Sequence, residues 1–155
     1  MPKQISDIND QELQDAIDKI ISSVQVDSEH DIPYLAGYSV DGKTIYIDRH
    51  IPPQANIEGH LIQIWQTLVC HEAIEKAILL DYGVNYLFAH QIALRVERDL
   101  VEADGVSWQE YSNFLEPYIK RAEKEKLNYV PICLDLEPYR DYNDYETLKR
   151  LLNAE

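Results

Sequence analysis

HEAIEKAILLDYGVNYLFAH, residues 71–90, reads as the end of one helix, a stop at Gly83, and the start of a second helix capped by Asn85. Upstream of it, Leu61, Ile64, Leu68, His71, Glu75 and Ile78 follow one another by three or four residues and so share one helical face. The spacing predicts a helix from about Glu58–His60 to Tyr82, followed by another over 86–104 that ends at Gly105. The short link through Gly83 and Val84 makes the two antiparallel neighbours, and Ala89 and Ala93 are small enough to let them approach closely.

Two polar side chains interrupt that apolar stripe. An ionised carboxylate there costs several kcal/mol unless it is paired or coordinates a cation, so Glu75 requires a partner. His71 stands one turn before it, close enough for both to converge on one ion. The pattern opens like the zinc motif H-E-x-x-H, with Glu75 in place of the second histidine. His90, early in the next helix, can supply the missing imidazole and restore a His2Glu ligand set for zinc or another divalent metal. Glu72 adjoins the first ligand, where such motifs keep the general base that takes a proton from water. Glu97, two turns after His90, can orient that imidazole from behind or replace a ligand. The bland alternative is a solvated helix face on which Glu72 pairs with Lys76, and a lone His90 is more often a hydrogen-bonded core residue.

Outward from this pair, Asp10 and the spacing of Leu13, Ala16, Ile17, Ile20, Ile21 and Val24 predict an N-capped amphipathic helix within residues 1–30. YLAGYSV and KTIYIDRHIP flank Asp41-Gly42 and predict a β-hairpin over 34–51, stopped by Pro52-Pro53. Ser107-Trp-Gln-Glu110 is a capping box that opens a fourth helix, which Pro117 should bend or restart. Residues 128–155 lack periodicity until DYETLKRLLNA and are expected to wrap the body, beyond a helical core over 58–126. The expected fold is α+β: a hairpin or small antiparallel sheet on a layer of three to five helices, in one domain over residues 1–155.

Composition narrows the function. Fourteen basic against 28 acidic side chains give a net charge of −14, which disfavours direct nucleic-acid binding and anionic membranes. No apolar run approaches the roughly 20 residues of a bilayer span, and no leader or lipidation pattern is visible, so a cytoplasmic protein is expected. Cys70 and Cys133 are expected to be reduced, with Cys70 a small apolar residue. At the end of the hairpin, Asp48 and Arg49 are candidates for binding substrate, Arg49 through a carboxylate, and His50 is a spare metal ligand. His30 and His60 are assigned no chemistry.

YIDRHIP, then HEAIEKAILLDYG, then AHQIALRVERDLVEADGVSWQEY resembles the short zincin-type metallopeptidases, and is similar to a group of uncharacterised small bacterial and phage-associated proteins over roughly residues 34–120. That resemblance implies a zinc-dependent, peptidase-like hydrolase acting on peptide or protein, with TIYIDRHIP as the edge strand that binds extended substrate. The competing expectation is a non-catalytic acidic interaction protein that occupies a basic partner surface.

Overall fold

The computed structural model describes residues 10–124, 127, 129–141 and 143–152. In chain order the elements are α1 (Asp10–Ser23), β1 (Gln25–His30), β2 (Ala36–Tyr38), β3 (Thr44–Asp48), β4 (Ala55–Ile57), β5 (His60–Ile62), α2 (Ile64–Tyr82), α3 (Tyr86–Ala103), α4 (Trp108–Lys124), α5 (Glu137–Asp141) and α6 (Tyr145–Leu152). The fold class is α+β, with two small sheets and, among the described residues, six helices rather than three to five. The expected segments at 1–9, 125–126 and 153–155, and the side chains of Leu13, Ala16, Ile17 and Ile20 in the α1 stripe, lie outside the described residues.

The hairpin forms where Asp41-Gly42 predicts it. β2 and β3 are antiparallel, with Gly37 opposite Tyr46, and Gly42 takes a φ of 73° in the turn. Two features correct the hairpin reading. QVDSEH, a sequence of weak strand character, forms β1 by pairing in parallel with β3. β3 therefore lies in the middle of a β1-β3-β2 sheet with hydrogen bonds on both sides. TIYIDRHIP is not an edge strand and has no free edge to offer a substrate; the strand at the edge beside the helices is β2.

A second correction concerns the start of α2. Residues 55–62 form the β4-β5 hairpin, turned by Glu58 and Gly59 at positive φ (52° and 81°), so the helix starts at Ile64 and not near residue 58. Leu61 consequently sits on β5 and is exposed. Ile57, Leu61 and Ile62 fit two short strands as well as one helical face, and the left-handed turn decides between them.

α2 lies at the centre. All eight residues from His71 to Ile78 are buried, because α1, α3 and strands β2 and β3 all pack against the helix. Ile74 and Ile78 meet Ala89 and Ala93 of α3, the close approach that the alanines permit. α2 ends at Gly83 with φ 63°, and the Asn85 side chain accepts from Phe88 N to start α3. α4 begins at the Ser107 cap, whose Oγ accepts from Glu110 N. It runs through Pro117 without restarting, because Tyr111 and Leu115 before the proline and Tyr118 and Ile119 after it all pack on the core.

The chain after α4 closes over the sheet. Leu127, Leu134, Tyr139 and Leu151 bury themselves against Ile32 and Tyr46. Leu134 bridges Ser39, Val40 N donates to Cys133 O, and Asp135 N donates to Tyr38 O, which fastens this segment to the outer edge of β2. Gly37 makes that contact close: a Cβ there would stand 2.9 Å from Leu134 Cδ1, and the leucine side chain would have to shift.

Candidate metal centre

α2 carries His71, Glu72 and Glu75 into the core, and α3 brings His90 and Glu97 up against them. His71 Nε2 lies 3.2 Å from Glu75 Oε2 and 3.3 Å from His90 Nδ1, and His90 Nδ1 lies 2.9 Å from the same Glu75 oxygen. Three donor atoms from two helices thus form a small triangle. Ligands on a tetrahedral zinc, with bonds of about 2.0–2.1 Å, stand about 3.4 Å apart. The triangle is slightly tighter than that, so a small outward movement of the three side chains would admit an ion. The donor set fits a divalent cation.

His71 is held from its other side. Its Nδ1 lies 2.6 Å from Glu97 Oε1, so the ring donates to Glu97 and directs Nε2 into the triangle. Carboxylate, imidazole and metal form this chain in many metal sites, where the carboxylate fixes the tautomer and raises ligand basicity. Glu97 was expected to orient His90 on its own helix; it orients His71 across the interface instead. His90 is steadied by Tyr86, one turn earlier, whose ring stacks on it with centroids 5.6 Å apart.

Charge explains why the cluster needs a cation or protons. Glu72, Glu75 and Glu97 are all buried, at 7%, 2% and 4% exposure, around two imidazoles. Burial works against a charged His71, yet hydrogen bonds to Glu75 and Glu97 outweigh it and hold the imidazolium well above its ordinary range. Burial likewise opposes charge on Glu75, but the two histidines keep its carboxyl below the usual value. Glu72 is different: burial, with the Glu75 charge next, outweighs the nearby His71 charge and pushes its carboxyl up to about 8. In the metal-free chain a proton therefore sits where the sequence expects a general base. Replacing the His71 Nε2 proton with a divalent cation would restore the ionised form of Glu72 by simple charge balance.

These groups line one wall of a cavity of about 350 Å³. The opposite walls are mainly apolar and aromatic, and include Leu94, Trp108, Leu115 and Tyr139. Tyr34 and Leu35, at the rim, both have positive φ (61° and 76°). They are held there by stacking of Tyr34 on Tyr139, by a hydrogen bond from the Tyr34 hydroxyl to Asp144, and by Asp48 N donating to Leu35 O. Two tyrosines that line the cavity, Tyr38 and Tyr111, have buried hydroxyls with no hydrogen-bond partner. Nothing in the spacing of these two tyrosines singles them out in the sequence. Lys76 does not pair with Glu72: its Nζ lies 3.4 Å from Asp135 and 4.7 Å from the centroid of the Tyr38 ring.

Asp48, Arg49 and His50 are elsewhere; none of them lines the cavity. Asp48 accepts from Ile32 N and from His50 N, and lies 3.0 Å from His50 Nδ1. Arg49 Nε donates to Asp31 at 2.6 Å, and Asp31 also accepts from Tyr129 N. Asp31, Asp48 and His50 form the second group of converging ligand atoms among the described residues. Asp31 is already occupied in tying Arg49 to the closing segment at Tyr129, and Asp48 in holding Ile32 and His50, so they read as a fastening of the fold, and His50 does not reach the triangle. No described helix is long and apolar enough to cross a membrane.

No family model matches the chain, and neither a curated protein nor a solved structure does so.

Proposed function

We propose that this protein is a zinc-dependent hydrolase of peptidase type, with His71, Glu75 and His90 as ligands. The observation that carries the proposal is the convergence of three donor atoms within 3.3 Å on the face of a buried helix, with Glu97 fixing the ring of His71 behind them. A divalent cation there would supply Lewis acidity toward a carbonyl oxygen and lower the pKa of water. Glu72 takes the proton, from a buried position whose affinity for protons lies near the working pH of a general base. Hydrogen bonding by Glu97 keeps Nε2 of His71 available, and the surrounding burial excludes bulk water.

The cavity favours a substrate with a large apolar side chain. Its volume is at the low end of small-ligand sites, which run from about 300 Å³, and apart from the groups of the metal site and Asp135 its lining is mainly rings and aliphatic side chains. Register also suggests how a peptide would lie. Leu35 O and Ser39 N bond to β3, so the N–H and C=O of Ala36, between them, point away from β3 on the cavity side. The backbone of an extended substrate can bond to Ala36 there, beyond the stretch of the β2 edge that residues 133–135 occupy.

The test is metal analysis of protein purified without chelator, followed by turnover of a mixed peptide library. Near-stoichiometric zinc, lost in a His71→Ala, His90→Ala double variant, together with cleavage beside bulky apolar residues, is the expected result. Zinc that is substoichiometric and unchanged in the double variant would sink the site. It would leave an acidic interaction protein of net charge −14 as the better reading.

A further inference from the structure

Tyr38 stands on β2 at 2% exposure, and its hydroxyl oxygen is fully buried with no hydrogen-bond partner. Leaving a buried hydroxyl unpaired is costly, and a folded chain rarely keeps such a group without a use for it. The surroundings specify that use. Glu75 and Glu72 both lie close to the phenol, which as a neutral hydroxyl is a donor. Glu75 nevertheless does not accept from it in hydrogen-bond geometry, and Glu75 Oε2 is engaged by His71 and His90. Lys76 above the ring and the β2-β3 pairing at Ile45 hold the side chain in place. The donor is therefore fixed at the cavity wall, beside the ligand triangle, with its hydrogen bond unspent.

Tyr111, the other unpartnered phenol, differs in position. Its hydroxyl borders Glu97, which binds Nδ1 of His71, on the side of that ring away from the triangle at Nε2. It can support Glu97 but is badly placed for a ligand at the triangle.

The geometry points to Tyr38 as the hydrogen-bond donor to the oxygen of a carbonyl-class ligand held beside His71, Glu75 and His90. This rests on the metal reading above and adds a residue that touches substrate: as charge develops on the carbonyl oxygen, a preorganised phenol donor stabilises it without having to give up another partner. The inference also accounts for the energetic cost of the unpaired hydroxyl, because the missing partner arrives with the ligand.

The test uses cobalt(II) as the metal and acetohydroxamate as the carbonyl probe, with binding followed through the cobalt visible absorption in wild type and Tyr38→Phe. Cobalt uptake should be equal in the two proteins, and acetohydroxamate should bind about tenfold more weakly to the variant, the loss of roughly one good hydrogen bond. The metal-free variant should melt at or above the wild-type temperature, since it loses an atom that has no partner. Equal acetohydroxamate affinities would overturn the role of Tyr38 while leaving the metal site standing. A clearly lower melting temperature would show that the hydroxyl is structural and overturn it as well. Failure of the wild type to take up cobalt would instead overturn the metal reading and this inference with it.

Discussion

His71 Nδ1 and Glu97 Oε1 are 2.6 Å apart, the shortest link between α2 and α3 at the centre, and it joins residues 26 positions apart in the chain. Through this bond α3 sets the rotation of a ring that belongs to α2. Substituting Glu97 with Gln keeps an acceptor for the ring N–H but removes the charge. Zinc affinity should fall by about 10-fold or more while the fold persists. Competition with a calibrated chelator measures it; an unchanged affinity would mean that Glu97 only fills space.

Glu72 separates catalysis from metal binding. Glu72→Gln should retain zinc and lose most peptide hydrolysis, because the amide keeps the shape of the carboxyl but cannot accept the proton. Zinc content and turnover are read on the same preparation. Wild-type turnover by this variant would remove Glu72 from the mechanism even with zinc bound. Glu75→Gln, by contrast, should weaken zinc binding itself.

The metal-free chain should lose stability as pH rises from about 5 to about 8. The raised carboxyl of Glu72 stays protonated in the folded chain to about 8, whereas the unfolded chain releases that proton near 4.5, so rising pH favours unfolding across this window. His71 acts in the same direction: its raised value gives stability that is complete below 6.5 and is lost as pH climbs through the folded value. Glu75, lowered, gives stability that is lost only as pH falls below its ordinary 4.5. The decline should be on the order of a few kcal/mol, and Glu72→Gln should flatten it. Thermal melts in chelator across that range provide the check, and a stability that rises toward pH 8 would contradict the assignment.

Gly83 tests the interface that positions His90. Its φ of 63° lies in the left-handed region, so Gly83→Ala should cost about 1 kcal/mol. A fall in the urea midpoint with an unchanged slope is the expected signature. A neutral result would mean that the turn after α2 can end in another conformation.

The chain's own order specifies much of this protein. The spacing of His71, Glu75, Gly83 and His90 determines two antiparallel helices with their donors on facing sides, because helical periodicity and a left-handed stop are local properties. Asp41-Gly42 determines the β2-β3 hairpin, and Asn85 and Ser107 determine two helix starts, for the same reason. Tertiary structure alone decided the rest. β1 exists because β3 offers it a parallel partner, and that pairing left β2 as the edge strand to which residues 133–135 fasten. α2 began at Ile64 because the β4-β5 hairpin claimed a stretch whose few apolar residues suit either structure. Glu97 chose His71 over His90, and Tyr38 and Tyr111 were left without partners, because long-range packing fixes where a side chain ends. Periodicity specifies the face a residue occupies; what that face meets depends on segments tens of residues away, whose contacts form only once the loops between them have closed.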